Sequence, residues 1–417
     1  LKISYRWLQM IALLMAMVMI ANLQYSWTLF VKPIQDAHGW SLSNVQWAFT
    51  LFIVFQTWVQ PFDGWLIDRI GLRFFFTLAG ILAGVGWAAL GFVQTLPQLY
   101  AAYALAGAGA ALVYSGCIGS VLKWFRDRRG LASGIIAAGY GAGSALFIPI
   151  IVSLIESRGY RQALVWTGIV PGLVIMALAQ FVRHPTAEEV KQAAVSTKTK
   201  SAAIRRNDGH FTTGEMLRTV HFYVLFVMFV MMAAGGLFVT ANAGPVARSW
   251  GLPIGALALA TAMSPLANGS SRIFWGAISD RLGRENTMAI AFALDGLALA
   301  SVMVLGPLSG TLFTLTLVLM FFAWGGTFAL FPSILGDWFG SRHATSNYSF
   351  LYAAKGVASI LAGGIAALMY QHFGNWSAVF YGSAAMALVS AVLALVLRAT
   401  PLPHKEGGFD GESTITS

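Results

Sequence analysis

Two basic residues of this chain stand where basic residues rarely do. Arg272 interrupts the apolar run 255–279 and Lys355 the run 344–370, and neither run contains an Asp or Glu. At 1.5 Å per helical residue, Arg272 lies ~12 Å from Asp280 and Lys355 ~16 Å from Ala344 along their helices. Both therefore fall near the midplane of a hydrocarbon core about 30 Å thick. A cation there costs about 2.5–3.5 kcal/mol on insertion scales, so it persists only with a compensating partner or a role. The guanidinium offers a planar fork matched to a carboxylate, and the ammonium a compact point charge. Together they suit a small dicarboxylate, and the chemistry they imply is binding and charge balance.

Helices that cross a membrane must hold these two groups. Of the 417 residues, 57% are hydrophobic and 10% charged, against about 25% charged in a soluble globular chain, so the outer faces meet lipid. Twelve stretches are long and apolar enough to span: 7–31, 43–62, 74–96, 98–122, 131–155, 162–182, 221–247, 255–279, 287–306, 311–336, 344–370 and 374–397. The expected architecture is an all-α integral membrane protein. A six-helix bundle covers 1–182, a cytoplasmic linker 183–220, a second six-helix bundle 221–398, and a disordered cytoplasmic tail 399–417. The first stretch is too long for a cleaved signal peptide and no small-residue cleavage site follows it. Lys and Arg number 20 in the loops of one side and 4 in those of the other, which puts both termini in the cytoplasm by the positive-inside rule. That spread accounts for the net charge of +10 without a nucleic-acid partner. A single cysteine, Cys117, forms no disulfide framework or CxxC motif. The histidines His38, His184, His210, His221, His343, His372 and His404 lie in loops or at span ends. No metal or other cofactor is expected, and with no HExxH and no nucleophile beside a base, no enzymatic activity.

The halves repeat one another. GWLIDRIGLR at 64–73 is echoed by GAISDRLGRE at 276–285, and KWFRDRRGLASG at 123–134 more weakly by DWFGSRHATSNY at 337–348. Matched loops in two six-helix halves are the sequence signature of a carrier that rocks about a central site. The first pair of loops resembles the signature of the major facilitator superfamily, with Leu72 where an Arg is usual and Glu285 at the last position of the second copy. More narrowly, QYSWTLF (24–30), LYAAYALAGAGAALVY (99–114), KWFRDRRGLASGIIAAGYGAGS (123–144), GEMLRT (214–219), FWGAISDRLGR (274–284), FFAWGGTFALFPS (321–333) and LYAAKGVAS (351–359) are similar to the bacterial oxalate:formate antiporter family. The resemblance implies the major facilitator fold of two pseudo-symmetric bundles, a bacterial cytoplasmic (inner) membrane, a monomer, and exchange of small carboxylates such as oxalate and formate. It also implies that Arg272 and Lys355 hold the anion.

The repeat mates of the two cations are Gln60 and Gly141, so the pair belongs to the second half alone. Tyr114 and its mate Phe328, with Tyr140, fall at similar depth; Trp324 is one turn from Phe328, and Gln24, Tyr25 and Gln46 fall nearer the outer mouth. The resemblance implies that such positions line the cavity or its outer gate. Phe328 stands where the resemblance leads one to expect Tyr. Asn268, four residues before Arg272, shares its helix face. In related monocarboxylate transporters an acid often occupies that place, and an amide, which cannot titrate, favours exchange over proton symport. Asp295, taken as the one carboxylate inside a span, is either structural or a coupling group. Asp68–Arg69 and Asp280–Arg281 read as latches between helices on the cytoplasmic side, and the glycine runs at 107–112, 137–146 and 362–364 as close-packing surfaces. Proton-coupled symport of lactate- or pyruvate-like acids is the alternative function.

Overall fold

The computed structural model describes residues 5–186, 188–189, 204–207, 209–362 and 366–404, and these are helical with no strand. The expected tail beyond 404 and much of the linker lie outside the described residues. The first span comes in three pieces, α1 (Tyr5–Met19), α2 (Ala21–Tyr25) and α3 (Thr28–His38). The second, α4 (Leu42–Trp58), tightens into a 3-10 turn at Gln60–Phe62, where Pro61 cannot donate to the helical ladder. It continues into α5 (Asp63–Ala89), which turns back at Gly71 to make the third span. Next come α6 (Leu96–Trp124) and α7 (Arg129–Ala179), the latter two spans meeting at Gly159. After a short α8 (Thr213–Leu217), the second half is built from α9 (Val220–Ser249), α10 (Ile254–Leu282), α11 (Arg284–Leu305), α12 (Gly310–Gly325), α13 (Thr327–Phe339), α14 (Ala344–Ile360), α15 (Ala366–Phe373) and α16 (Ser377–Ala399). Here α12 with α13, and α14 with α15, make up the tenth and eleventh spans. Gly71 and Gly283, which share one place in the repeat, adopt one backbone conformation, φ 75° and 89° with ψ 159° in both, a region open mainly to glycine. The repeat is thus written in the backbone as well as in the side chains.

Among the described residues, eight helical stretches are long and apolar enough to cross a membrane. The second, eighth and eleventh spans, α4, α10 and α14, are not among them. Two of them carry the cations, and all three lie where the halves meet: α10 packs on α7, and α14 on α4 and α6. The faces they turn to the other half keep polar residues that a lipid-facing surface would shed.

The halves close on each other at the end that carries the linker. A Cβ placed on Gly130 would sit 2.1 Å from the Gly276 carbonyl oxygen, and one on Gly134 2.3 Å from that of Arg272, so α7 and α10 touch backbone to backbone. A buried charge cluster seals this end. The Asp337 carboxylate accepts from Arg129 of the first half (2.6 Å), Arg284 of the second (2.7 Å) and Arg206 of the linker (3.0 Å). Asp280 accepts from the N–H groups of Gly130 (3.0 Å) and Leu131 (2.8 Å) in the first turn of α7 and pairs with Arg284 (2.7 Å), where the positive end of the helix dipole favours an anion. The linker is strapped over the cluster by Asn207 and Phe211, whose N–H groups donate to the carbonyls of Asp337 and Phe339. Of the residues expected as latches, Asp280 thus bridges the halves, while Arg69 and Arg281 are exposed and the Asp68 side chain lies outside the described residues. The cluster is one-sided because the repeat mates of Asp337 and Arg284 are Lys123 and Leu72. Toward the opposite end the two helices part beyond Ala142 and Gly269, and most of 145–150 is exposed.

Gly276→Val should wedge α7 from α10 at the linker end. Overpacking of about 1–3 kcal/mol would raise the population open at that end roughly 5- to 150-fold. Spin labels at Arg126 and Arg342 report the separation, and an unchanged distance distribution would show that this contact does not hold the end shut.

Candidate functional site

Arg272 is 1% and Lys355 3% exposed, and the two are close enough to repel one another. Among the described residues neither pairs with a carboxylate. Arg272 is instead held by neutral groups. Its Nε and Nη2 donate to the Asn268 side-chain oxygen (3.1 and 2.7 Å), its Nη1 donates to the Ala137 carbonyl of α7 (2.8 Å), and its guanidinium lies 4.5 Å from the centre of the Phe328 ring. Asn268 thus orients the guanidinium, since one turn of helix brings its oxygen beside the fork. The ring face offers the attraction of its quadrupole without a counter-charge.

Lys355 donates to the Tyr352 hydroxyl (3.1 Å) and weakly to the Gln56 side-chain oxygen (3.4 Å). Gln56 continues across the first half: its amide donates to the Tyr140 hydroxyl, which donates to the Gln24 side-chain oxygen (2.6 Å). A chain of neutral dipoles therefore runs from the first span, through the fifth and second, to the ammonium of the eleventh. The Tyr114 ring stacks on Tyr352 (4.7 Å) and meets Tyr140 edge-on (5.4 Å). Tyr25 packs on Tyr140 (5.6 Å) and lies within electrostatic reach of Arg272. Trp324 stands edge-on to Phe328 (5.2 Å), its N–H donating to the Met232 carbonyl (2.9 Å). Gly236 makes room for it, since a Cβ there would fall 1.9 Å from the indole.

Gln24, Tyr25, Tyr114, Tyr140, Asn268, Trp324, Phe328, Arg272 and Lys355 thus gather in one place. Gln24 and Tyr25 lie deeper than their sequence position implied, because the three-piece first span extends to His38 and its middle falls near residue 22, within a turn of both. The Gln46 side chain lies outside the described residues. Asp295 stands apart, 1% exposed on α11, which packs on α16, with both oxygens without a hydrogen-bond partner. Three contributors escaped the sequence reading. Tyr348 and Tyr352 lie seven and three residues before Lys355, so helical spacing puts them on its face. Gln56 lies one turn before Gln60, the repeat mate of Arg272. The fourth surprise is Asp63, a second carboxylate in the membrane interior, 1% exposed and bonded to Ser115. It belongs to the helix because the second span runs on past residue 62 to Gly71.

The model of the Major Facilitator Superfamily matches residues 12–243 and again 223–416. The chain belongs to the major facilitator superfamily. It is 39% identical to the oxalate:formate antiporter of Oxalobacter formigenes over 93% of this chain and 90% of that protein. It is 27% identical to human monocarboxylate transporter 11 over 62% of this chain and 53% of that protein. Among solved structures, the fucose:proton symporter of E. coli superposes with a TM-score of 0.71 at 12% identity, covering 94% of this chain and 99% of that one. The protein is a multi-pass membrane transporter of this fold, with twelve spans in two bundles.

Gln56→Leu would remove one acceptor from Lys355 and the donor to Tyr140. The buried groups left behind should cost about 1–3 kcal/mol, read as a lower apparent melting temperature of the purified protein without added anion. An unchanged melting temperature would show that the amide carries no structural load.

Proposed function

We propose that this protein exchanges small carboxylates across a bacterial inner membrane by alternating access, with oxalate against formate as the preferred pair. The observation that carries the reading is the buried pair Arg272 and Lys355, held by amides, carbonyls and aromatic rings rather than by acids. Two positive charges in a water-poor cavity are matched by one dianion whose carboxylates meet a fork and a point charge. The similarity to the Oxalobacter formigenes antiporter supports the same choice. On this reading Tyr114, Tyr140, Gln24, Tyr25, Trp324 and Phe328 shape the cavity, and Asn268 positions Arg272. The linker end, rich in Lys and Arg, is cytoplasmic, and Asp280 belongs to its gate. The structure then faces outward. Exchange follows from the charge: a cavity emptied of its anion keeps two unbalanced cations, so the rocking step is favoured with an anion aboard.

Proton-coupled uptake of a monocarboxylate is the second reading. It is favoured by Asp295, a buried acid without a hydrogen-bond partner, and by the similarity to human monocarboxylate transporter 11.

Proteoliposomes loaded with oxalate, formate, lactate or nothing separate the two. Uptake of labelled oxalate that requires internal oxalate or formate supports exchange; lactate uptake driven only by an inward proton gradient supports the second reading. Lys355→Gln should lower oxalate exchange by roughly 30-fold or more, the scale of losing one buried charge partner at about 2–5 kcal/mol. Undiminished oxalate exchange in that variant would remove the ammonium from the binding site.

A further inference from the structure

Asp63 carries a second buried carboxyl, in the first half of the chain. It is 1% exposed, its Oδ2 is hydrogen-bonded to the Ser115 hydroxyl, and its Oδ1 has no hydrogen-bond partner. Among the described residues no Lys or Arg pairs with it. Ser115 Oγ also lies 3.3 Å from the Leu112 carbonyl oxygen. A hydroxyl has one proton to donate and two lone pairs, so a serine that donates fully to the carbonyl can only accept from the acid. Both contacts are satisfied when the serine donates to Leu112 and accepts from a protonated Asp63. Desolvation points the same way, since an unpaired buried carboxylate costs several kcal/mol and a neutral acid avoids that cost.

The position of this acid ties it to the transport cycle. It follows the turn at Gln60–Phe62, which packs on α14, the helix of Lys355. Ser115 follows Tyr114, whose ring stacks on Tyr352, the acceptor of the Lys355 ammonium. Asp63 lies eight residues before Gly71, hence ~12 Å inside the linker end of its helix, on the side that is shut here. Titratable and charged groups on the elements packed around it include Tyr103, Tyr114, Cys117 and Lys123 of α6, Arg129 and Tyr140 of α7, Tyr348, Tyr352 and Lys355 of α14, and Arg69 and Arg73 on its own helix.

We propose that Asp63 is a proton-binding site coupled to the linker-end gate: protonated in the outward-facing state, and releasing its proton from the carboxyl oxygen to water when that end opens. The inference rests on the exchange reading only for its consequence. With Asp63 neutral the cavity presents two positive charges and suits a dianion; with Asp63 ionised it presents one net positive charge and suits a monoanion. One cavity can then carry a dianion in one direction and a monoanion in the other at the same net charge.

Two measurements test this. The infrared difference spectrum of wild type minus Asp63→Asn, taken on purified protein at neutral pH, should contain the carbonyl stretch of a neutral carboxylic acid; no such band overturns the proposal. This arm needs no transport substrate, so it stands even if carboxylate exchange fails. In proteoliposomes, oxalate/formate exchange should change with the pH of the linker side, approaching ~10-fold per unit where one proton is linked. In Asp63→Asn it should change less than ~2-fold over the same range. A wild-type profile in that variant overturns the proposal, as does a flattened profile in Asp295→Asn in its place. If Asp63→Asn does not transport, oxalate binding by the purified variant, followed by tryptophan fluorescence against pH, reads the same linkage.

Discussion

Repulsion between two buried cations is the constraint around which this protein is organised. Arg272 and Lys355 sit within electrostatic reach in a medium that screens poorly, and the chain surrounds them with oriented dipoles and ring faces rather than acids. An acid in that place would neutralise the site permanently and leave nothing for a substrate to do. The amide of Asn268, the carbonyl of Ala137, the hydroxyl of Tyr352 and the face of Phe328 each lower the cost of one charge a little without cancelling it. On the proposed reading, the residual positive potential is what a carboxylate meets.

The gate follows the opposite logic. At the linker end, charges are paired as fully as geometry allows, with three guanidinium groups on Asp337 and two backbone N–H groups plus a guanidinium on Asp280. The contacts that cross the halves, Arg129 on Asp337 and the N–H groups of Gly130 and Leu131 on Asp280, must separate for that end to open, and a rocking step that exposes them to water recovers part of their hydration. The mid-membrane cations have no such recourse. On the proposed reading the two clusters give different tasks to the same residue types: paired ions hold a state, and unpaired ones choose a cargo.

Much of this was legible in the sequence, because a charge in an apolar run is a conspicuous anomaly and helical rise converts its position to depth. Arg272, Lys355 and Asn268 could be placed that way. Gln24 and Tyr25 were placed too near the surface because residue counting assumes one straight helix, whereas the first span is broken twice and runs to His38. Gln56 escaped notice because an uncharged amide in a span is unremarked by charge counting, and its partners lie on other helices. Asp63 was lost at a boundary: the apolar window closes at residue 62, so the acid reads as loop, yet the helix carries it on to Gly71. The one-sided gate was half visible, since Leu72 in place of an arginine marks where the first half lacks the counterpart of Arg284.

The strap formed by residues 204–207 and 209–212 bears on how the chain can be divided. Although it lies between the two bundles in the sequence, its described hydrogen bonds reach the second: Arg205 donates to the carbonyls of Leu397 and Arg398, Asn207 to that of Pro403, and Thr213, which follows it, to the side chain of Asn347. Anyone dividing the gene into two co-expressed polypeptides should therefore cut upstream of residue 204. A fragment beginning later would leave Asp337 short of Arg206 and the second bundle without its own lining at the mouth.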